Sequence, residues 1–202
     1  EILPHVKADC VVTDPPYGMA YRSGWSGGTV ANDENVEVRD DIMDLWGDRP
    51  ALVFGRWSQP RPKNTKMRLI WDKGDWPGMG DLAMPWGPSD EEIYVCGRGF
   101  VGKRTGTVLR CDRLGGNAMQ HPTEKPVALM RLLIRACPSG TILDPFMGSG
   151  TTLVAAKSLG RRAIGIEIEE RYCEIAAKRL AQEVLPFDQP EEKPVVRQMD
   201  IL

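Results

Sequence analysis

The sequence holds little of what builds a metal centre or a disulfide framework. Only two histidines occur among its 202 residues, and neither has a partner at metal-ligand spacing. The five cysteines are dispersed, without any Cys-x-x-Cys pair: Cys10, Cys96, Cys111, Cys137 and Cys173. An odd, scattered set predicts reduced thiols rather than disulfides, and we expect no metal site.

Long apolar runs are also missing. No stretch approaches the roughly 18 uninterrupted apolar residues of a membrane helix, and the first residues lack the pattern of a secretion signal. We therefore expect no membrane contact and a cytoplasmic location. The composition, 42% hydrophobic and 27% charged, is typical of a globular protein, and the length predicts a single domain over residues 1–202.

Charge is unevenly distributed along the chain, although the net charge is only −2. Residues 1–48 carry 3 Lys/Arg against 10 Asp/Glu, a balance of −7, whereas residues 49–135 carry 15 against 8, a balance of +7. A basic middle is what a phosphate-facing surface requires, and a solvated face explains it equally well.

Short apolar runs alternate with helical patterns, which predicts an α/β domain with a largely parallel sheet. Strands are expected at residues 10–13, 51–54, 67–71, 93–96, 141–143 and 163–166, with the third and fourth as an antiparallel pair. Helices are expected at residues 39–46, 126–137, 151–159 and 171–184. The remaining long segments at 18–35, 74–90 and 97–120 are rich in turn residues, and loops of this length are usually functional or mobile.

The first chemically informative motif is Asp-Pro-Pro-Tyr at residues 14–17, directly after the strand predicted at 10–13. Open α/β sheets bind ligands at this carboxyl edge. Two prolines fix two φ angles and remove two backbone donors, so Asp14 and the Pro15 carbonyl form a rigid acceptor pair. Such a pair can hold both hydrogens of an exocyclic amino group while Tyr17 stacks on the ring. A simple strand terminator, with Tyr17 packed locally, is the alternative.

The second motif runs from a strand through a glycine-rich turn into a helix. It reads Asp-Pro-Phe-Met-Gly-Ser-Gly-Thr-Thr over residues 144–152, and a second strand then leads to Glu167, 19 residues beyond Gly148. Glycines let a ligand approach the backbone, the new helix offers free N–H groups, and an acid at the neighbouring strand tip can accept ribose hydroxyls. This pattern favours a nucleoside ligand, an ordinary tight turn being the alternative. Thr151 stands where a phosphate-binding loop needs lysine.

A third segment, His-Pro-Thr-Glu-Lys-Pro at residues 121–126, precedes a predicted helix. Thr123 and Lys125 are placed there to bind an anionic or carboxylate-bearing group, or simply to cap the helix beside a solvated lysine.

Together the three motifs resemble those of the DNA amino-methyltransferases, and more closely the circularly permuted class in which Asp-Pro-Pro-Tyr precedes the cofactor loop. The likeness covers roughly residues 8–18 and 112–182. It implies a methyltransferase fold with a seven-stranded, mostly parallel sheet and one antiparallel strand, S-adenosylmethionine as methyl donor, and a DNA base flipped out of the duplex as acceptor.

The resemblance also implies roles for individual residues. The expected catalytic residues are Asp14, Pro15, Pro16 and Tyr17. The expected cofactor-binding residues are Asp144, Phe146, Gly148, Ser149, Gly150, Thr151 and Glu167, with Thr123 and Lys125 near the methionine end. The basic, loop-rich region at about 56–120, with Trp57, Trp71, Trp76 and Trp86, is the candidate for DNA contact, although at least two of these tryptophans are expected to pack internally.

One part of the family pattern is not evident. Family members usually carry a strand and an acidic residue before the catalytic strand, and only residues 199–202 offer a substitute here.

In the family that these motifs resemble, Asp at the first position of the catalytic motif accompanies adenine N6 more often, and Ser accompanies cytosine N4, so the resemblance implies adenine. An RNA target, a protein amide target and an inactive cofactor-binding module remain alternatives. A homodimer and a restriction endonuclease partner are both compatible with the resemblance, and the target sequence stays open.

Overall fold

The computed structural model describes residues 3–17, 36–74, 78, 80–112 and 124–182. Seven strands occur in this part of the chain: β1 (Cys10–Thr13), β2 (Ala51–Gly55), β3 (Thr65–Asp72), β4 (Asp90–Cys96), β5 (Val108–Arg110), β6 (Ile142–Asp144) and β7 (Ala163–Gly165). Four α-helices accompany them: α1 (Glu37–Trp46), α2 (Val127–Ala136), α3 (Thr151–Ser158) and α4 (Glu170–Ala181). A short 3-10 helix, Leu3–His5, precedes β1.

The strands form one sheet in the order β5-β3-β4-β2-β1-β6-β7. β4 pairs antiparallel with both β2 and β3, and the other described pairings are parallel. The sheet is therefore the expected seven-stranded, mostly parallel one with a single reversed strand. The predicted antiparallel pairing of residues 67–71 with residues 93–96 is confirmed.

Hydrophobic cores lie on both faces of the sheet because side chains alternate along each strand. On β1, Cys10 and Val12 belong to the core that α2 and α3 cover, whereas Val11 belongs to the core that includes Met43 and Trp46 of α1. The central strands β1 and β2 are buried along their whole length, as strands covered on both faces should be.

Strands β1 and β6 are parallel neighbours, and the order in which the chain adds strands across the sheet reverses between them. From β1 the chain continues to β2 on one side, and from β6 it continues to β7 on the other. Ligands of open α/β sheets bind at such a switch point, outside the carboxyl ends of the strands. The topology thus brings residues 14–17 and the loop of residues 145–150 to the same place.

The sequence predicts which helices and strands are present better than it predicts their first and last residues. β5 was not predicted, because its three residues lie in a segment rich in Gly, Arg and Thr, and it is an exposed edge strand paired only with β3. β3 begins before its predicted start because Thr65 and Lys66 are polar and carry no apolar signal. α2 begins after Pro126, which is the N-cap rather than the first helical residue. The suggested strand at 199–202 lies outside the described residues.

All five cysteines are free thiols. Among the residues described, no helix has the length and apolarity needed to cross a membrane. The same residues contain no group of three or more His, Cys, Asp and Glu side chains that could hold a metal ion.

Candidate active site

Asp14 follows β1 and has both carboxylate oxygens bound within the protein. Tyr17 donates its hydroxyl proton to Oδ1, and Lys125 Nζ lies 2.6 Å from Oδ2. Burial raises the pKa of Asp14, and the positive charge of Lys125 opposes that rise. Burial and the neighbouring Asp14 raise the pKa of Tyr17 well above its usual value, so the phenol remains a hydrogen-bond donor. The sequence-predicted residues Asp14 and Tyr17 are thus held together as one unit.

Lys125 stands just before α2 and its side chain is 6% exposed. Besides Asp14, its Nζ faces Glu91 Oε2 at 3.2 Å. Burial alone would lower the pKa of Lys125, but the two carboxylates outweigh it and the pKa is raised. In this structure the carboxylates that Lys125 contacts belong to the protein itself, and its expected contact with the methionine end of a cofactor stays a prediction. Thr123, its predicted companion, lies outside the described residues.

Asp144 ends β6 and ties together the two loops at the switch point. Its Oδ1 accepts from Thr13 Oγ1 at 2.6 Å and from the Phe146 N–H at 3.1 Å, and its Oδ2 accepts from Thr152 Oγ1 at 2.5 Å. Burial raises its pKa to about 6, although these hydrogen bonds favour the charged form. Thr13 comes directly before Asp14, so the Asp144 carboxylate fixes the end of β1 relative to the loop of residues 145–150, called the glycine loop below.

The glycine loop has an open side and a closed side. Gly148 has a φ of +49°, and no described atom lies within 4 Å of where its Cβ would stand. Gly150 has a φ of +83°, and a Cβ there would lie 2.7 Å from the Ala176 Cβ of α4. A side chain would therefore protrude from the loop at Gly148 and collide with α4 at Gly150.

Glu167 lies just beyond β7 and faces the glycine loop. Its Oε2 accepts from the Gly148 N–H at 2.9 Å, and its Oε1 accepts from the N–H groups of Ile168 at 2.8 Å and Glu169 at 2.9 Å. Backbone donors thus hold the carboxylate at the tip of the strand, where the sequence placed it.

Arg179 of α4 anchors the start of α3, and sequence reasoning missed it. Its guanidinium contacts Glu124 Oε1 at 2.6 Å, the Ser149 carbonyl at 2.9 Å and Thr151 Oγ1 at 3.2 Å. This clamp joins α4, the glycine loop and the segment that carries Lys125. Arg179 lies on a helix of mixed charge, and nothing in its local sequence distinguishes it from a solvated arginine.

Glu91 was missed as well. It lies on β4, and because that strand is reversed, its first residues arrive at the edge where β1 and β6 end. Its Oε1 pairs with Lys73 Nζ at 2.7 Å. Burial opposes its ionisation, but Lys125 and Lys73 outweigh burial and its pKa is lowered. An acidic triplet at residues 90–92 inside a basic region was the available signal.

One cavity of about 1290 Å³ joins these parts. Asp14, Tyr17, Glu91, Lys125, Gly148 and Glu167 all contribute to its lining. Pockets for one small ligand usually measure about 300–1,000 Å³, so this volume suits two ligands side by side. The site can therefore bring a group held by residues 14–17 against a ligand held by the glycine loop.

Tryptophans on the cavity rim are exposed. Trp57 and Trp86 line the cavity with 80% of their surface accessible. Trp71 is different: it is 2% exposed, packs edge-on against Phe54 and donates its indole N–H to the Cys111 carbonyl at 2.6 Å. The buried Trp71 belongs to the core, and Trp76 lies outside the described residues.

The sequence matches the model of a protein family described as DNA methylase over residues 56–178. It is also 31% identical to YubD of Escherichia coli (strain K12) over 196 residues, which cover 88% of this chain and 84% of YubD. The chain belongs to the N6/N4 DNA methylase family. Its match to the type II methyltransferase M2.DpnII of Streptococcus pneumoniae is 54% identical over 68 residues, 33% of this chain, and spans only 25% of M2.DpnII.

Solved structures agree with this family fold. M1.HpyAVI in its SAM complex superposes with a TM-score of 0.64 at 24% identity, over 88% of this chain and 94% of that one. The cytosine-N4-specific PvuII DNA methyltransferase superposes with a TM-score of 0.67 at 15% identity, over 92% of this chain and 84% of that one. The chain is therefore a DNA methyltransferase of the N6/N4 family, and the base that it methylates is a separate question.

Proposed function

We propose that this DNA methyltransferase transfers the methyl group of S-adenosylmethionine to N6 of adenine in DNA by direct displacement. The observation that carries the proposal is the meeting of the Asp14–Tyr17 unit and the glycine loop in one cavity of about 1290 Å³. Cytosine N4 is the alternative. Adenine is favoured because Asp, rather than Ser, opens the catalytic motif, as the family resemblance implies.

The glycine loop and Glu167 fit a nucleoside-bearing donor. Gly148 leaves its side of the loop open, and the Glu167 carboxylate stands beside it with lone pairs left to accept ribose hydroxyls. Phe146 and the 76% exposed Ile168 offer apolar surface for a base. Ser149, Gly150 and Thr151 form the helix start that Arg179 anchors, and Asp144 holds the loop in place.

The bound donor supplies an activated methyl group on sulfur. Asp14 and the Pro15 carbonyl hold the amino hydrogens of the acceptor base, and Pro16 keeps their geometry rigid. Tyr17 supports the base with its ring while its hydroxyl orients Asp14. The N–C bond forms as the S–C bond breaks, and the nitrogen releases one proton, which the Asp14 carboxylate is placed to accept. Orientation supplies most of the rate.

We propose that DNA binds across the mouth of the cavity. The whole chain acts as a single catalytic domain, and the region at about 56–120 provides the DNA contact. Trp57 and Trp86 project from the rim, where they can stack against bases when the target is flipped out. Arg56 also lines the cavity and can neutralise phosphate charge nearby. A homodimer, an endonuclease partner and a cytoplasmic location stay predictions.

The decisive experiment is methyl transfer from radiolabelled donor to unmethylated DNA by the wild-type chain, Asp14→Asn and Asp44→Asn. We expect Asp14→Asn to lose about 100-fold or more of the rate, because a neutral amide accepts fewer hydrogen bonds and takes no proton. Asp44 is 60% exposed on α1 and pairs only with Lys63 among its recorded contacts, so its variant should retain the rate. Donor binding without transfer by the wild-type chain would favour the inactive module, and label on RNA or protein instead of DNA would favour those targets.

Nucleoside analysis of the methylated DNA tests the choice of base. We expect N6-methyladenine as the product. If N4-methylcytosine alone accumulates, the adenine assignment is wrong and the DNA methyltransferase assignment still stands.

A further inference from the structure

A line of alternating charges runs from the Asp14 carboxylate along the edge of the sheet. Asp14 pairs with Lys125 at 2.6 Å, Lys125 with Glu91 at 3.2 Å, and Glu91 with Lys73 at 2.7 Å. Four separate parts of the chain supply these groups: the ends of β1 and β3, the start of β4 and the segment before α2. Nothing in the local sequence of Asp14 requires the other three, so their meeting is a property of the tertiary structure.

We propose, on the basis of the function proposed above, that Lys125 and Glu91 are positioning residues for methyl transfer. Lys125 keeps the Asp14 carboxylate ionised and oriented, and Glu91 holds Lys125 in place. Lys125 acts in this way through Asp14 rather than through the methionine end of the donor.

The geometry around Lys125 supports this division of roles. Its ammonium group has three hydrogens, and carboxylates stand on two sides of it, at 2.6 Å and 3.2 Å. It also lies 5.7 Å from the centre of the Tyr17 ring and 5.1 Å from that of Phe54. With its side chain 6% exposed, the ammonium group is enclosed by these four neighbours.

Glu91 has an incomplete hydrogen-bond shell. Its Oε2 faces Lys125 without an aligned hydrogen bond from any residue that the structure describes, although Lys73 holds Oε1. Burial of a carboxylate oxygen that has only one ion-pair contact destabilises the folded state, unless its charge stabilises a neighbouring cation. Asp14 and, after it, Glu91 raise the pKa of Lys125 against the effect of burial, so the amine stays protonated.

Asp14 must be ionised to accept both an amino hydrogen and, later, the released proton. Burial favours its protonated form. Among the residues that the structure describes, the charged or titratable groups that shift its pKa are Lys125, Glu91, Tyr17 and Asp144. Among these four, Lys125 is the cation, so Asp14 depends on it for its charge.

The two positioning residues act on Asp14 with opposite signs. Removing the charge of Lys125 raises the pKa of Asp14. The acidic limb of the pH–rate profile, where the rate falls because Asp14 becomes protonated, must then move to higher pH. Removing the charge of Glu91 takes away a repulsion, while Asp14 still keeps Lys125 charged and the Gln amide oxygen can still accept from it, so the limb must move to lower pH. A merely structural defect lowers the rate at every pH and does not produce shifts of opposite direction.

The test is a set of single-turnover pH–rate profiles, at saturating donor and DNA, for Lys125→Met, Lys125→Arg, Glu91→Gln and Glu92→Gln. We expect Lys125→Met to move the acidic limb up by about 1–3 pH units. Glu91→Gln should move it down, and Lys125→Arg should return it close to the wild-type position. Glu92 is the control, because it lies on the same strand, is 3% exposed and pairs with Arg68 and Tyr94 instead.

Several results overturn the inference. If Lys125→Met leaves the limb in place and weakens donor binding instead, Lys125 serves the donor. If Glu91→Gln and Glu92→Gln give the same profile, Glu91 has no special role. These failures leave the proposed function intact, because it fails only if the wild-type chain does not methylate DNA or Asp14→Asn remains active. Lys125→Arg and Glu91→Gln keep most of the side-chain volume, so they test the inference even if Lys125→Met does not fold.

Discussion

At the scale of single residues, Asp144 combines deep burial with a carboxyl group of raised pKa. It is 2% exposed and has no cation among its recorded partners, which are Thr13, Thr152 and the Phe146 N–H. Three hydrogen bonds favour its charged form, yet burial outweighs them and the pKa rises to about 6. A raised carboxyl pKa means that the folded state binds a proton more tightly than the unfolded chain. This group therefore stabilises the fold increasingly as the pH falls towards the pKa that Asp144 has in the unfolded chain.

Asp144→Asn should therefore change the pH dependence of stability. Between pH 5 and pH 8 the wild-type chain loses about 1.4 kcal/mol of unfolding free energy through Asp144, since its pKa is about 6 when folded and 3.8 when unfolded. The variant has no such loss. Urea unfolding at both pH values measures this, and the difference between wild type and variant should shift by that amount.

Asp72→Asn provides the control for this experiment. The Gly74 N–H and Arg110 lower the pKa of Asp72, so above pH 5 it is ionised in both folded and unfolded states. Its substitution can cost stability, but by the same amount at both pH values. An equal shift for both variants would mean that Asp144 is not the group responsible.

At the scale of elements, the glycine loop depends on the contact between α3 and α4. Gly150 is the N-cap of α3, and its missing side chain is what lets Ala176 of α4 pack there. The Arg179 clamp acts at the same junction. The loop geometry therefore comes from two helices as much as from the loop sequence.

Gly150→Ala should destabilise this junction by about 2–4 kcal/mol, from left-handed strain at φ +83° and from a Cβ contact of 2.7 Å. Gly160→Ala is the matched control, since it has a φ of +64° but no described atom within 4 Å of its Cβ position. It should cost only the strain, about 1–2 kcal/mol.

Thermal or urea unfolding measures both glycine variants. Ala176→Gly combined with Gly150→Ala should recover part of the loss, because it removes the other atom of the contact. Additive effects of the two substitutions would contradict the packing explanation.

At the scale of the whole molecule, exposed aromatic groups stand at the mouth of the cavity. The region of residues 49–135 carries the balance of +7, and Trp57 and Trp86 stand exposed on the rim. Exposed tryptophans contribute little to folding, and they are suited to stacking on bases.

Trp57→Ala and Trp86→Ala should each weaken DNA binding by about 1–3 kcal/mol while leaving donor binding and thermal stability near the wild-type values. Fluorescence anisotropy with a labelled duplex measures the affinity. Leu45→Ala is the control, because Leu45 is 63% exposed on α1 and does not line the cavity. A loss of melting temperature equal to that of the buried Trp71→Ala would show that the rim tryptophans are structural.

Much of this protein could be predicted from local sequence, since a strand followed by a rigid or glycine-rich turn places its next residues at the sheet edge. That pattern located Asp14, Tyr17, Gly148 and Glu167, and the order of the motifs predicted the permuted fold. Buried runs such as residues 10–13 and 51–54 are equally visible, because apolar residues must leave water.

Only the tertiary structure decided which groups far apart in the chain contact each other. Glu91 reaches the site because β4 is reversed, and Arg179 reaches the glycine loop because α4 packs on α3. Lys125 contacts Asp14 because both side chains lie in the same cavity. β5 exists because β3 offers it an edge. Hydrogen bonds and ion pairs act over a few ångströms in space, and sequence patterns record neighbours along the chain, so these partners became visible only once the chain was folded.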